Sequence, residues 1–255
     1  MEPFFSLIGP AIRNDRYEGI YNNLSHNNKI SFEIVFVGDK KPIEKMPSNF
    51  RYIYTKVKPM QCLEIGARDA IGEYIMAIQD DLVFSPEFLN RMHKHIEDNK
   101  NNKVLITPRY AKGKKYDDSV LNDKINATYF NKKKKVSPRI GICPAYKKEL
   151  WNQLGGIDRG FLGCHGVNDL QMRFFEKGYK ILDALDCCIY EIIKLKDFVR
   201  LIYRSGELDE ESFLNSLWTN KRGEVVIKRN SLLCPFKDED ILIKSQGKCD
   251  KSQWD

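Results

Sequence analysis

No stretch of this 255-residue sequence approaches the length of a membrane span, and its N-terminus lacks the basic and apolar regions of a signal peptide. A soluble, cytoplasmic protein is therefore expected. Paired zinc-ligand spacings such as CxxC are also missing: the seven cysteines are an odd number and include the adjacent Cys187 and Cys188. This usage argues against a disulfide framework and for reduced thiols. The sequons at Asn23 and Asn126 carry no weight in such a compartment. Finger spacing, a helix-turn-helix pattern and interleaved basic and aromatic residues are all absent, so nucleic acid is not an expected partner. There is no internal repeat.

Charge is present in excess of one sign. The 42 Lys and Arg against 35 Asp and Glu give a net charge of +7, with the densest block at Lys132–Lys135. Such a balance favours anionic partners, whether nucleotides, a polyanionic acceptor or peripheral contact with a membrane surface. The block itself reads either as a solvated loop or as a binding patch.

The chain is organised around Glu73–Phe84, EYIMAIQDDLVF. Tyr74 to Ile78, introduced by Gly72, is a short apolar run of the kind buried on both faces of a sheet. It stops at Asp80 and Asp81. Carboxylates at the C-terminal end of a buried strand lie where open α/β sheets bind ligands, and they are hard oxygen donors suited to Mg²⁺ or Mn²⁺. The alternative is a solvated turn whose acids only cap the next element.

Around this run the elements alternate. Phe4–Ile8 and Phe32–Val37 read as buried strands ending at Gly9-Pro10 and Gly38-Asp39, and Phe50–Thr55 as an edge strand. Helices are expected from Tyr17, over Met60 to Ile71, and from Ser85-Pro86 to about Asn99, with Ser85 as cap and Pro86 at the first helical position. Alternation of this kind argues for a parallel sheet with helices on its faces, and it gathers Pro10–Arg13, Gly38-Asp39 and Asp80-Asp81 at one edge. Val104–Thr107 continues as a strand, residues 110–137 as a long loop, Ile140–Ala145 as a strand, and Lys147–Leu154 as a short helix. An amphipathic helix over Asp169–Lys177 and a final strand over Ile181–Tyr190 come next. Beyond Glu191 two helices, Ile192–Arg204 and Glu210–Trp218, suggest an appendage over 191–255.

In this order the pieces FFSLIGPAIR, FEIVFVGD, AIGEYIMAIQDDLVFSPEFL and LGGIDRGFLGCHGVNDLQMRFFEKGY resemble a glycosyltransferase of the GT-A fold and of the large inverting family 2. The last two pieces are the specific ones. The resemblance covers roughly Phe4 to Tyr190 and implies an α/β domain over 1–190, a mixed sheet with helices on both faces, followed by a mainly helical C-terminal part. It further implies transfer of a hexosyl or N-acetylhexosaminyl group, with inversion, from a nucleotide-diphosphate sugar, most simply a UDP-sugar, to a hydroxyl on a glycan, lipid or protein. Mn²⁺ or Mg²⁺ would assist. Carried over by position, Pro10, Ala11, Arg13, Gly38, Asp39 and Asp80 would contact the nucleotide sugar, and Asp81 and His165 the metal. Asp169 would take the acceptor's proton, and Trp151 and Gly156 would line the acceptor side.

Several departures from the family pattern qualify this. Gln79 stands where the first carboxylate of the DxD motif belongs, Glu64 where Asn is common, and Gly166-Val167 where an acidic pair precedes the final helix. A protein that binds nucleotide sugars without turnover is the alternative they motivate. A nucleotidyltransferase ranks lower, because GPAIR is a poor phosphate loop. Individual residues also have structural readings: Asp169 as a helix N-cap, Trp151 as core, and His93 and His95, two apart, as surface residues that do not chelate together.

Overall fold

A computed structural model describes residues 2–55, 57–112, 141–158, 161, 166–191, 217–219 and 225–227. In chain order the elements are β1 (Phe5–Pro10), a single 3-10 turn (Asn14–Arg16), α1 (Tyr17–Ser25), β2 (Phe32–Gly38), β3 (Phe50–Tyr54), α2 (Pro59–Asp69), β4 (Tyr74–Ala77), β5 (Leu82–Phe84) and α3 (Phe88–Asp98). They continue with β6 (Val104–Lys112), β7 (Ala145–Lys147), α4 (Lys148–Gln153), α5 (Gly166–Glu176), β8 (Lys180–Glu191), β9 (Leu217–Thr219) and β10 (Val225–Ile227).

Eight strands form one sheet in the order β3-β2-β1-β4-β7-β6-β8-β5. The first four run parallel, as alternation with helices predicts, while β7 is antiparallel to β4 and β6, and β5 is antiparallel to β8. The sheet is therefore mixed. Neighbouring residues of each central strand face opposite sides, because the side-chain period of a strand is two. Leu7, Ile34 and Met76 join α1 and α3 in one core; Ile8, Val35 and Ile75 join α2, α4 and α5 in the other. Both faces are covered, which is why β1 and β2 read as continuous apolar runs.

One polar cluster is buried within this sheet. Glu33 on β2 accepts hydrogen bonds from Ser6 Oγ (2.5 Å), the Ile71 N–H (2.7 Å) and Arg51 Nε (2.9 Å), and Gly72 N–H donates to Ser6 Oγ at 2.8 Å. A buried carboxylate satisfied on this scale ties the turn before β4 to β1 and β2. The register of β4, and with it the place where Asp80 and Asp81 emerge, is set by that tie.

Several expectations change. Leu82–Phe84 form a strand, although three residues after an acidic pair carry no period to reveal it; their partner is more than a hundred residues away in β8. Ser85 does not cap α3. Its hydroxyl accepts the Cys188 N–H (3.0 Å) and its own N–H donates to Cys188 O (2.9 Å), so α3 starts only at Phe88, after Glu87 with φ +55°. A left-handed non-glycine residue costs on the order of 1–3 kcal/mol. Burial of Phe88, Leu89, Met92 and Ile96, at about 2 kcal/mol each, outweighs it.

β6 runs to Lys112 because its second half pairs with β8 beyond an irregularity at Pro108/Arg109. The strand expected over Ile140–Ala145 is confined to Ala145–Lys147, since Cys143 adopts φ +50°. Near the C-terminus Leu217 and Trp218 belong to β9, paired antiparallel with β10, and not to a helix. The expected helix over Ile192–Arg204, the Lys132–Lys135 block and His165 lie outside the described residues. Among the described residues no helix is long and apolar enough to cross a membrane.

Candidate active site

Because β1, β2 and β4 are parallel, their C-terminal ends share one edge of the sheet. Three expected clusters meet there. Ala11 N–H donates to Val37 O at 2.9 Å, fastening the chain after β1 to the end of β2. Gly38 is needed at this crossing: a Cβ there would overlap the carbonyl oxygen of Ala11. Asp39 is exposed just beyond. Beneath it Tyr17 and Tyr52 stand with ring centroids 5.8 Å apart, and Tyr17 Oη donates to Lys40 O at 3.0 Å. Burial pushes the Tyr52 hydroxyl up to about 12, so both phenols stay neutral donors.

Asp80, an expected nucleotide contact, meets the loop after β1. Its Oδ2 accepts the N–H groups of Ile12 and Arg13, each at 2.6 Å, and its Oδ1 pairs with the Arg13 guanidinium. Both oxygens are thus engaged within the protein. Charge-assisted bonds of this kind are the stronger class, so Asp80 is an anchor that shapes the loop after β1 and aims Arg13. Pro10 and Ala11 are held in that same loop. Gln79, the substitute for the first motif carboxylate, is exposed.

Asp81 is the contrasting neighbour. Arg13 Nη1 lies 3.4 Å from its Oδ2, while its Oδ1 is buried without a hydrogen-bond partner. Burial raises its pKa above the usual carboxylate range, with Asp80 adding to the rise and Arg13 opposing it. A bare buried carboxylate oxygen is costly unless something completes it, and a divalent cation is the group such an oxygen accepts. Across from it stands Glu191. Pairing of Leu82 with Glu191 carries this last residue of β8 beside Asp81, where burial and then the Asp81 charge push its carboxyl up to about 7, against the pull of Arg13. One or two carboxylates plus substrate phosphates is the usual protein share of a Mg²⁺ site, so the residues present fit the implied metal.

The Glu191 shift yields a pH signature. A carboxyl raised from 4.5 to about 7 by folding contributes stability that is complete below 4.5 and is lost as pH rises through 7. Without metal, Glu191→Gln is expected to match the parent protein at about pH 4 and to exceed it by about 2 kcal/mol at about pH 8, read from urea unfolding at the two pH values. Equal stability at pH 8 would contradict the assignment.

The turn at Gly156, an expected acceptor contact, is built between α2, α4 and α5. Gly156 has φ +65°, and a Cβ there would strike the Glu64 carboxylate. Glu64 Oε2 accepts the Ile157 N–H at 3.0 Å, and Arg173 Nη2 donates to Gly156 O at 2.6 Å. The turn is clamped from both sides. Arg173 Nε also reaches Asp169 Oδ2 at 3.1 Å, so Asp169 lies inside α5, ion-paired one turn along, and does not cap the helix. Asp169 is only 3% exposed. Gln171 on the same helix grips Gly141 through its N–H (2.7 Å) and its carbonyl (2.9 Å), and Thr107 Oγ1 donates to Ile142 O at 2.9 Å. These bonds hold Cys143 where the Asp81 charge helps raise its thiol, after burial, to about 12.

Trp151 corrects an expectation. It is 1% exposed and meets Tyr146 edge-on at 5.3 Å in the core against α5, which leaves no ring face for a sugar. Glu191 beside Asp81 is the candidate site residue that sequence reasoning misses. The signal for Glu191 is an acid closing a buried run, CCIYE, the same arrangement that draws attention to Asp80 and Asp81. Reading Glu191 as the start of an appendage hides it.

Comparison with known proteins supplies the last observations. The family model described as Glycosyl transferase family 2 matches residues 20–155, just over half of the chain. No curated protein matches the sequence. Among solved structures, the crystal structure of S. aureus TarS residues 1–349 aligns at TM-score 0.52 and 17% identity, over 75% of this chain and 60% of that one. The same TarS segment in complex with UDP aligns at 0.51 and 16%, over 84% and 66%; in complex with UDP-GlcNAc it aligns at 0.51 and 16%, over 76% and 59%. The chain thus spans less than two thirds of the length of these proteins, and the likeness is one of fold.

Proposed function

This chain belongs to glycosyl transferase family 2, and on that premise we propose that it transfers a sugar from a nucleotide-diphosphate donor, of which a UDP-sugar is favoured, to a hydroxyl acceptor with inversion. The observation that carries the reading is the bare buried Oδ1 of Asp81 with Glu191 beside it, at the strand ends where Arg13 is held by Asp80. The two TarS complexes, with UDP and UDP-GlcNAc, motivate the choice of donor.

In this scheme the Gly38 crossing and the loop over 10–13 receive the nucleotide, with Tyr17 and Tyr52 flooring the pocket. Arg13 faces the diphosphate. Asp81 and Glu191 would hold Mn²⁺ or Mg²⁺, which when bound neutralises charge developing on the leaving diphosphate. Asp169 takes the proton of the acceptor hydroxyl as that oxygen bonds to the anomeric carbon. The bond from this carbon to the diphosphate oxygen breaks, and its electron pair leaves with the nucleoside diphosphate. Arg173 holds Asp169 in place through its ion pair, and Gly156 brings the acceptor close to it.

A screen of UDP, GDP and CMP compounds by thermal unfolding tests this. A ligand at 100 times its dissociation constant adds about 2.7 kcal/mol, or roughly 5–10 °C for a domain of this size. UDP with Mn²⁺ is expected to produce that rise and UDP without metal a smaller one. Absence of any rise for every nucleotide tested with Mn²⁺ present would sink the donor-site reading. The exposed Gln79 favours one second reading, a nucleotide-sugar binder without turnover. It would show the same thermal rise yet release no free UDP from UDP-sugars, and Asp169→Asn would change nothing.

A further inference from the structure

Away from this edge, His95 on the last turn of α3 and Asp186-Cys187 on β8 converge on one point. His95 Nε2 lies 2.6 Å from Asp186 Oδ1, and Cys187 Sγ lies 3.8 Å from the same oxygen. One donor atom from each of the three residues falls within 4.8 Å of the others, a grouping that among the described residues occurs only here. Asp186 precedes Glu191 by five residues, roughly 15 Å along an extended strand, so this cluster is separate from the Asp81 site.

We propose that His95, Asp186 and Cys187 form a zinc site that fastens α3 to β8, with water as the fourth ligand. The donor set selects the metal: imidazole, carboxylate and thiolate suit Zn²⁺, whereas Mg²⁺ and Mn²⁺ prefer oxygen alone. Tetrahedral zinc places such donors about 3.3–3.6 Å apart. The Nε2 to Oδ1 separation must open by less than about 1 Å to fit it, and the sulfur must close by a few tenths on Oδ1 and by up to roughly 1.2 Å on Nε2, from which it lies within 4.8 Å.

Charge also balances. Zn²⁺ displaces the Cys187 thiol proton to solvent, and the resulting thiolate and the Asp186 carboxylate neutralise the ion against a neutral His95. Arg91 is the cation facing the cluster: its Nη1 donates to Asp186 O at 2.8 Å, and its charge is offset by Glu87 Oε2 at 3.7 Å from Nη2. Cys187 is fully buried while the Asp186 side chain is half exposed, so the ion would enter from solvent onto Asp186 and His95 and settle against the sulfur. The two histidines two residues apart on α3 do not chelate together, as their spacing requires. His93 packs its ring on Phe4, with centroids 4.5 Å apart, and His95 finds its partners on a different element.

Titration of the metal-free full-length chain with Co²⁺, followed by displacement with Zn²⁺, tests the site. A near-ultraviolet sulfur-to-cobalt charge-transfer band saturating at one equivalent is expected, and oxygen ligation at Asp81 does not produce it. Cys187→Ser should abolish the band. His95→Gln, at a partly exposed position, should weaken Co²⁺ binding by more than about 100-fold, since loss of even an outer-shell partner costs 10–100-fold. No band in the parent protein, or an unchanged affinity in His95→Gln, overturns the proposal. Should Cys187→Ser fail to fold, the histidine variant decides alone.

Discussion

Asp81→Asn is expected to lower sugar transfer about 10³-fold while leaving the protein folded and slightly more stable without metal. The two effects share one cause. Asp81 is a buried carboxylate beside Asp80 and Glu191, with Arg13 compensating only in part, and folding therefore raises its pKa. A carboxyl raised in the folded state withdraws stability as pH rises through its folded value, so an amide of the same shape removes that loss at neutral pH. A gain in stability is expected in urea unfolding at pH 8. The same amide offers a weaker oxygen to a cation and no negative charge. Metal-dependent release of UDP from donor should collapse, and the thermal rise given by UDP with Mn²⁺ should shrink to that given by UDP alone. A variant that loses activity by unfolding would show the opposite stability change, so the pair of measurements separates the two explanations. Retention of full metal-dependent turnover in Asp81→Asn would remove Asp81 from the site.

Gly38→Ala is expected to cost about 3–4 kcal/mol and to abolish the nucleotide-induced thermal rise. The clash lies with a backbone atom, the Ala11 carbonyl, and not with the end of a flexible side chain. Relief requires moving the chain after β1, where Ala11 N–H bonds Val37 O and where Asp80 grips the Ile12 and Arg13 N–H groups. A methyl group therefore propagates into the loop over 10–13, the proposed nucleotide contact. Gly19 on α1 supplies the control, because its Cβ would meet nothing within 4 Å. Gly19→Ala should instead stabilise by about 0.5–1 kcal/mol through helix propensity. Urea unfolding of both variants, with UDP and Mn²⁺ thermal shifts alongside, checks the contrast. Similar stability changes of one sign in both would mean that the close approach at Gly38 is not what the structure indicates.

Asp80 and Asp81 illustrate how adjacent identical residues acquire different tasks. In the sequence they are a symmetric pair at the end of a buried run. In the structure one saturates itself on Ile12, Arg13 and the guanidinium, and the other is left with an uncompensated oxygen. Nothing local distinguishes them. The difference lies in which faces the neighbouring loop after β1, nearly seventy residues earlier. Asp169 shows the same limit: read locally it caps a helix, but a helix starting at Gly166 places it one turn inside, paired with Arg173. Trp151 is equally open between sugar stacking and core until Tyr146 and α5 enclose it.

What the sequence by itself determined is the parallel half of the sheet and the edge at which Pro10–Arg13, Gly38-Asp39 and Asp80-Asp81 meet. Apolar runs of strand length alternating with amphipathic helices leave little choice of architecture, because each strand must be covered on both faces and each crossover must return to the same edge. The resemblance of the motifs likewise pointed to the family and made Arg13, Asp80, Asp81 and Asp169 candidates. Only the tertiary structure decided the antiparallel half, with β5 and β8 paired so that Glu191 stands beside Asp81, and with His95 brought to Asp186 and Cys187. Pairing across a hundred residues depends on which strand edges remain free once the parallel core has formed, and no periodicity within three residues such as Leu82–Phe84 records that outcome.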